Sequence, residues 1–122
     1  MQVYKTFAHV VSNKPKIVAE LSKDFGDYYF SLIPKYYYAN RQKHSVHVTI
    51  VRSFEVVPDN LWKSFSDKIV IYYDPTIIFG IPYFYLNCWS KDIINIRREL
   101  GLSKYRFERS SYHITIGNTK TS

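Results

Sequence analysis

A chain of 122 residues with 46% hydrophobic content suits one compact domain and is too short for two ordinary ones. Its apolar runs, 77–86 among them, fall short of the roughly 20 residues a membrane-crossing helix needs, and a lone cysteine, Cys88, excludes an internal disulfide and any multi-cysteine metal site. The net charge of +7 attracts anionic partners, nucleotides and nucleic acids being the usual ones, although lysines that merely solvate the surface give the same charge. The opening Met1-Gln2-Val3-Tyr4-Lys5-Thr6 lacks the long apolar run of a secretory leader, so a reducing, cytoplasmic setting is expected.

In chain order, residues 3–11 alternate and predict a strand. Pro15 sits where a first helical turn tolerates it. Ile17, Val18, Leu21 and Phe25 then share one helical face that Gly26 can close, so a helix is expected there. Strand signals resume over 28–33, a loop spans 34–43, and the β-branched, alternating stretch 44–52 predicts a second long strand. Further on, 59–65 reads as a short helix and 68–73 as a strand that Asp74-Pro75 turns into 76–79. A strand over 83–89 leads to Ser90, an N-cap for a helix carrying Ile93, Ile94, Ile96 and Leu100. Arg97 and Arg98 lie near its C-terminus, where the helix dipole favours cations, Gly101 ends it, and a strand over 112–117 follows. The expected fold class is α+β: a single domain of two similar strand–helix–strand units, roughly 1–55 and 66–122.

Each unit ends in the same short pattern, His47-Val48-Thr49-Ile50 and His113-Ile114-Thr115-Ile116, with the histidines 66 residues apart (113 − 47). Side chains alternate across a strand, so His47 and Thr49 share one face while Val46, Val48 and Ile50 point to the other. The same holds for His113 and Thr115 against Tyr112, Ile114 and Ile116. Phosphodiester cleavage needs one group to take a proton from the attacking oxygen and another to give one to the leaving oxygen. Two imidazoles supply both, each role contributing roughly 10² to 10⁴ in rate. Threonine hydroxyls can donate to the non-bridging oxygens where charge accumulates. The scheme requires no metal and no cofactor. One such motif alone reads more readily as a surface histidine beside a threonine chosen for strand propensity; two copies closing equivalent units require that coincidence twice.

With these motifs the chain resembles the 2H phosphoesterase family, also called LigT-like, whose signature is a pair of His-x-Thr/Ser-x motifs on pseudo-symmetric strands. The resemblance covers the whole chain in organisation, and His47, Thr49, His113 and Thr115 match the pattern without substitution. It implies a bilobal fold with antiparallel sheets lining a central cleft and helices outside, and an enzyme that cleaves nucleotide phosphodiesters or cyclic phosphates. The small size, basic charge and Tyr/Ile/Lys/Asn-rich composition resemble viral members that destroy cyclic nucleotide immune signals, such as phage anti-CBASS nucleases and poxvirus LigT-like proteins acting on cyclic GMP-AMP. The shortness of the chain leaves little room for an RNA-docking domain, so the expected partner is a cyclic nucleotide or short oligonucleotide, with no stable duplex and no membrane. Alternatives are a phosphodiesterase for 2′,5′-oligoadenylate or RNA 2′,3′-cyclic phosphate ends, a non-catalytic nucleotide sponge or RNA-binding module, and a protein-interaction domain.

Other candidates surround the motifs. Tyr36, Tyr37 and Tyr38 with Lys35, Arg41 and Lys43 could stack a base and hold a phosphate, or form a loop packed by its own aromatics. Tyr38, Arg41 and Lys43 are the substrate-binding candidates of this group. Arg109, with Arg106, could bring charge to the cleft rim, Glu108 pairing with one of them and Phe107 packing inward. His44 and His47, three apart, would face opposite sides of a regular strand and not chelate one ion. His9 reads as a structural histidine, and Tyr83, Tyr85 and Trp89 as core packing ahead of base stacking.

Overall fold

The computed structural model describes residues 2–103 and 112–120. Within them the order is β1 (Tyr4–Asn13), β2 (Lys16–Glu20), α1 (Lys23–Ser31), a 3₁₀ turn (Lys35–Tyr37), β3 (His47–Val51), β4 (Lys68–Tyr73), β5 (Ile78–Gly80), β6 (Tyr83–Trp89), α2 (Lys91–Glu99) and β7 (Tyr112–Asn118). The fold is α+β. All seven strands join one antiparallel sheet in the order β3-β2-β1-β4-β6-β5, with β7 on the other edge of β6. The junction is short: β4 meets β6 only at Tyr72↔Trp89 and Tyr73↔Cys88. Because β3 also runs beside β7, the sheet curls into a nearly closed barrel.

One face of this sheet is the core. Ala8, Val10, Ile17, Ala19, Val48, Ile50, Ile69, Ile71, Leu86, Cys88, Ile114 and Ile116 are all buried, and, apart from Val51 and Gly117 near the ends of β3 and β7, their strand neighbours are not. The helices cover this face: α1 packs on β7, and α2 on β3 and β4. No helix among the described residues is long and apolar enough to cross a membrane.

The two halves share more than strand–helix–strand order. Each contains a hairpin, a helix and a returning strand: β1–β2, α1, β3 and β5–β6, α2, β7. Pro15 and Pro82 stand in the two hairpin turns. The pairing of β2 with β3 slips register between Ile17 and Val18, and that of β6 with β7 slips between Phe84 and Tyr85. Ser22 and Ser90 cap the two helices, their hydroxyls accepting from Phe25 N at 3.1 Å and Ile93 N at 3.3 Å, a contact worth about 1 kcal/mol.

Several expectations need correction in the first half. The helix placed after Pro15 is strand β2: Ile17 and Ala19 alternate with Lys16, Val18 and Glu20, and Lys14-Pro15 turns the chain back onto β1. Ile17, Val18 and Leu21 satisfy both periods, and pairing with β1 and β3 decides for the strand. The helix instead follows Ser22 and runs through most of 28–33, a stretch whose aromatics favour strand. Packing overrides that propensity. Tyr29 lies 4.8 Å from the Phe25 ring and 5.7 Å from the Tyr73 ring, and its hydroxyl shares a buried 2.8 Å hydrogen bond with that of Tyr73. Burial, and next that bond, raises the Tyr29 pKa.

Gly26 does not close the helix but lies inside it. A Cβ there would stand 2.8 Å from Val46 Cγ2, so only glycine lets α1 approach the chain that enters β3. The short helix expected over 59–65 is a turn in which the Pro58 carbonyl accepts from Leu61 N and Trp62 N. Strands β4 and β6 occupy the stretches expected of them, and α2 follows its Ser90 cap and ends at Gly101, whose φ of 73° lies in the left-handed region.

Arg97, on α2, turns inward instead of only facing the helix end. It is 1% exposed; Nη2 donates to Glu55 Oε2 at 2.7 Å, Nη1 to the Ile50 carbonyl at 2.6 Å and Nε to the Ser103 carbonyl at 2.7 Å. A buried guanidinium of this kind is held by satisfying its donors, and here it ties α2 to the end of β3.

Candidate active site

The motif residues lie on the sheet face opposite the core. Along β3, Val48 and Ile50 are buried while His47 and Thr49 are part-exposed; along β7, Ile114 and Ile116 are buried while His113 and Thr115 are part-exposed. The registers of the two halves coincide. Glu20 is the cross-strand partner of His47 and Val18 that of Thr49, just as Asn87 is the partner of His113 and Tyr85 that of Thr115.

His47 is oriented by the segment that leads into β3. Its Nδ1 lies 2.7 Å from the Ser45 carbonyl, and because a carbonyl only accepts, that nitrogen carries the hydrogen. Nε2 is then the ring nitrogen left with a lone pair in the neutral imidazole. His113 packs against Tyr85, ring centroids 4.3 Å apart. Among the described residues neither the Thr49 nor the Thr115 hydroxyl enters a hydrogen bond, which leaves both as donors for an incoming oxyanion.

The loop ahead of β3 is tied to the end of β7. Asn40 N donates to the Asn118 carbonyl at 2.7 Å and Asn118 N to the Asn40 carbonyl at 3.0 Å, while Asn118 Nδ2 donates to Gln42 Oε1 at 2.8 Å. This brings Arg41 and Lys43 into a cavity of about 510 Å³ with His44, His47, Tyr83 and Lys120. A neighbouring cavity of about 570 Å³ is lined by Lys16, Val18, Glu20, Lys43, His44 and His47, among others. His47 therefore stands between two cationic hollows. His113 lines neither; it lies nearer the other end of β7, beside Tyr85 and Asn87.

Arg41 is not a bare charge. It pairs with Asp27 at 2.5 Å and lies over the Phe30 ring at 4.6 Å. Asp27 also accepts from Lys23 at 2.7 Å, and these bonds, that from Lys23 first, hold its carboxyl below the usual value. Tyr38 does not join His47. It is exposed, with φ of 51°, and faces a separate hollow with Phe30, Pro34 and Lys35. Tyr37 packs on Phe79 and Phe84 at 5.0 and 5.1 Å, so only part of the tyrosine run faces outward. Arg106, Phe107, Glu108 and Arg109 lie outside the described residues.

Two further readings change. His44 precedes the strand instead of alternating within it, so it lines both cavities together with His47. Among the described residues no three His, Cys, Asp or Glu side chains cluster as a metal site would require. Tyr83, Tyr85 and Trp89 are not core: Phe84, Leu86 and Cys88 fill it, and the tyrosines and tryptophan share the open face with His113. His9 is on that face too, as the β1 partner of Glu20.

Sequence reasoning did not single out Glu20, Asn87, Lys16 or Lys120. Glu20 was hidden by the helical reading of its segment, and Asn87 becomes visible only once β6 is set in register with β7. The chain matches no family model, no curated protein and no solved structure.

Proposed function

We propose that this protein is a metal-independent phosphodiesterase of the two-histidine kind, hydrolysing a phosphodiester of a cyclic di- or oligonucleotide such as cyclic GMP-AMP. The observation that carries the reading is the repetition of one arrangement: in each half a returning strand sets a histidine and a threonine at the same register on the open face. Chance supplies a histidine and threonine on one strand easily. It does not readily supply them twice, behind matched hairpins, register shifts and helix caps.

In the proposed reaction one imidazole takes a proton from water as its oxygen bonds to phosphorus. The other, protonated, donates to the ester oxygen as the P–O bond breaks. Thr49 and Thr115 donate to the non-bridging oxygens, and Lys43 and Lys120 with the partly neutralised Arg41 hold the anion near His47. The proton count closes when the two histidines re-equilibrate with solvent. The bilobal arrangement of a 2H phosphoesterase, with β1–β3 and β5–β7 as lobes around a common cleft, belongs to this proposal, as does the resemblance to viral proteins that destroy cyclic nucleotide signals.

The test is chromatographic. Cyclic dinucleotides, cyclic trinucleotides, 2′,5′-oligoadenylate and 2′,3′-cyclic nucleotides are incubated with the protein in EDTA. A linear product from a cyclic di- or trinucleotide is expected. Unchanged recovery of every compound after long incubation contradicts the proposal.

A further inference from the structure

Glu20 is the only acidic residue in any described strand, and it stands on the face that gathers cations. Its strand neighbours are His47 and His9, and Lys16, Lys43 and His44 share its cavity. A carboxylate here repels phosphate and weakens capture of any anionic ligand. Nor does it serve as a structural tie: among the described residues it forms no ion pair and no side-chain hydrogen bond. The equivalent place in the other half, beside His113, holds Asn87. A carboxamide offers a donor and an acceptor, a carboxylate acceptors only. The halves thus agree in backbone plan and differ, right beside each histidine, in the hydrogen-bonding edge they can receive.

We infer that Glu20 is a base-reading residue, its carboxylate accepting the paired N1–H and N2–H donors of a guanine seated in the cavity beside His47. The inference rests on the phosphodiesterase reading for the position of the phosphate. Guanine is the common base that sets a ring N–H next to an exocyclic amino group, which matches two carboxylate oxygens. Adenine and cytosine place an acceptor beside their amino group and would set a lone pair against the carboxylate. The cavity, about 570 Å³, is of a size that takes small ligands. Cross-strand neighbours have Cβ atoms only ~5 Å apart, so one nucleotide can reach both His47 and Glu20. The lysines at its edge hold the phosphates and leave discrimination to the acid.

The experiment compares cyclic di-GMP with cyclic di-AMP, by calorimetric binding and by turnover, for the wild-type chain and Glu20→Gln. Expected is a wild-type preference for the guanine compound of at least about tenfold. In the variant, binding of that compound falls by a similar factor and binding of the adenine compound stays within about twofold, a differential of the size one net hydrogen bond supplies. Equal wild-type affinities overturn the inference whether or not the variant folds. Equal losses for both compounds also overturn it, marking Glu20 as a support for His47. Guanine preference without turnover sustains the role of Glu20 and speaks against hydrolysis of these two compounds alone, the phosphodiesterase reading being decided by the full panel; turnover without preference overturns the role of Glu20 and sustains that reading.

Discussion

The β2–α1–β3 and β6–α2–β7 segments set the same two side chains at the same register and surround them differently. His47 has Glu20 beside it, Val18 opposite Thr49 and two cationic hollows; His113 has Asn87, and Tyr85 lies against its ring. The helix caps differ in the same way. Ser22 is exposed and makes one contact, whereas Ser90 is buried and also donates to the Val70 carbonyl at 2.6 Å. A repeated backbone plan fixes where groups stand, and their neighbours decide what each copy does. Under the proposed reaction, matched histidines and threonines within unmatched surroundings suit a substrate whose two sides are not alike.

The comparison breaks most sharply at the histidines. His47→Ala and His113→Ala are each expected to lower kcat/KM by roughly 10²- to 10⁴-fold with little change in melting temperature; a large loss in only one of them would mean that the halves are not functionally paired. Thr49→Val and Thr115→Val keep shape and strand propensity, and each is expected to cost roughly 10²-fold in kcat with a smaller effect on KM.

On stability, Glu55→Gln removes the Glu55 carboxylate from the buried Arg97 guanidinium, and denaturant unfolding is expected to register a loss of about 3 kcal/mol. Ser90→Ala is expected to cost about 2 kcal/mol and Ser22→Ala about 1, the difference reflecting the second, buried hydrogen bond of Ser90. Equal losses would erase the distinction between the caps.

The smallest effect concerns acid. Lys23, and then Arg41, lower the Asp27 pKa from its model-compound value of 3.8, so its stabilisation is present above that pH and is lost as pH falls through the lowered folded value. The melting-temperature difference between wild type and Asp27→Asn should accordingly close as pH drops below 3.8 and be constant near neutrality.

Much of the second half was legible because its local signals agree: Ser90, the isoleucines of α2 and Gly101 all point to the same helix, and 83–89 is strand on every count. In the first half they conflict. Ile17, Val18, Leu21 and Phe25 fit a helical face, Tyr28 to Phe30 favour strand, and only contacts distant in sequence reverse both: pairing of β2 with β1 and β3, and Tyr29 against Tyr73. The shared face of His47 with Thr49, and of His113 with Thr115, follows from strand alternation alone. Their partners Glu20 and Asn87 do not, because cross-strand register is a tertiary property that a bulge in each ladder shifts by one residue.

The claim that both histidines act in one reaction cycle is tested most directly by kcat/KM for His47→Ala, His113→Ala and the double variant on the substrate that the panel identifies. Groups that act as a unit are not additive. The double variant is predicted to lie within about tenfold of the worse single variant. Losses that multiply, or a single variant with undiminished turnover, would contradict the account.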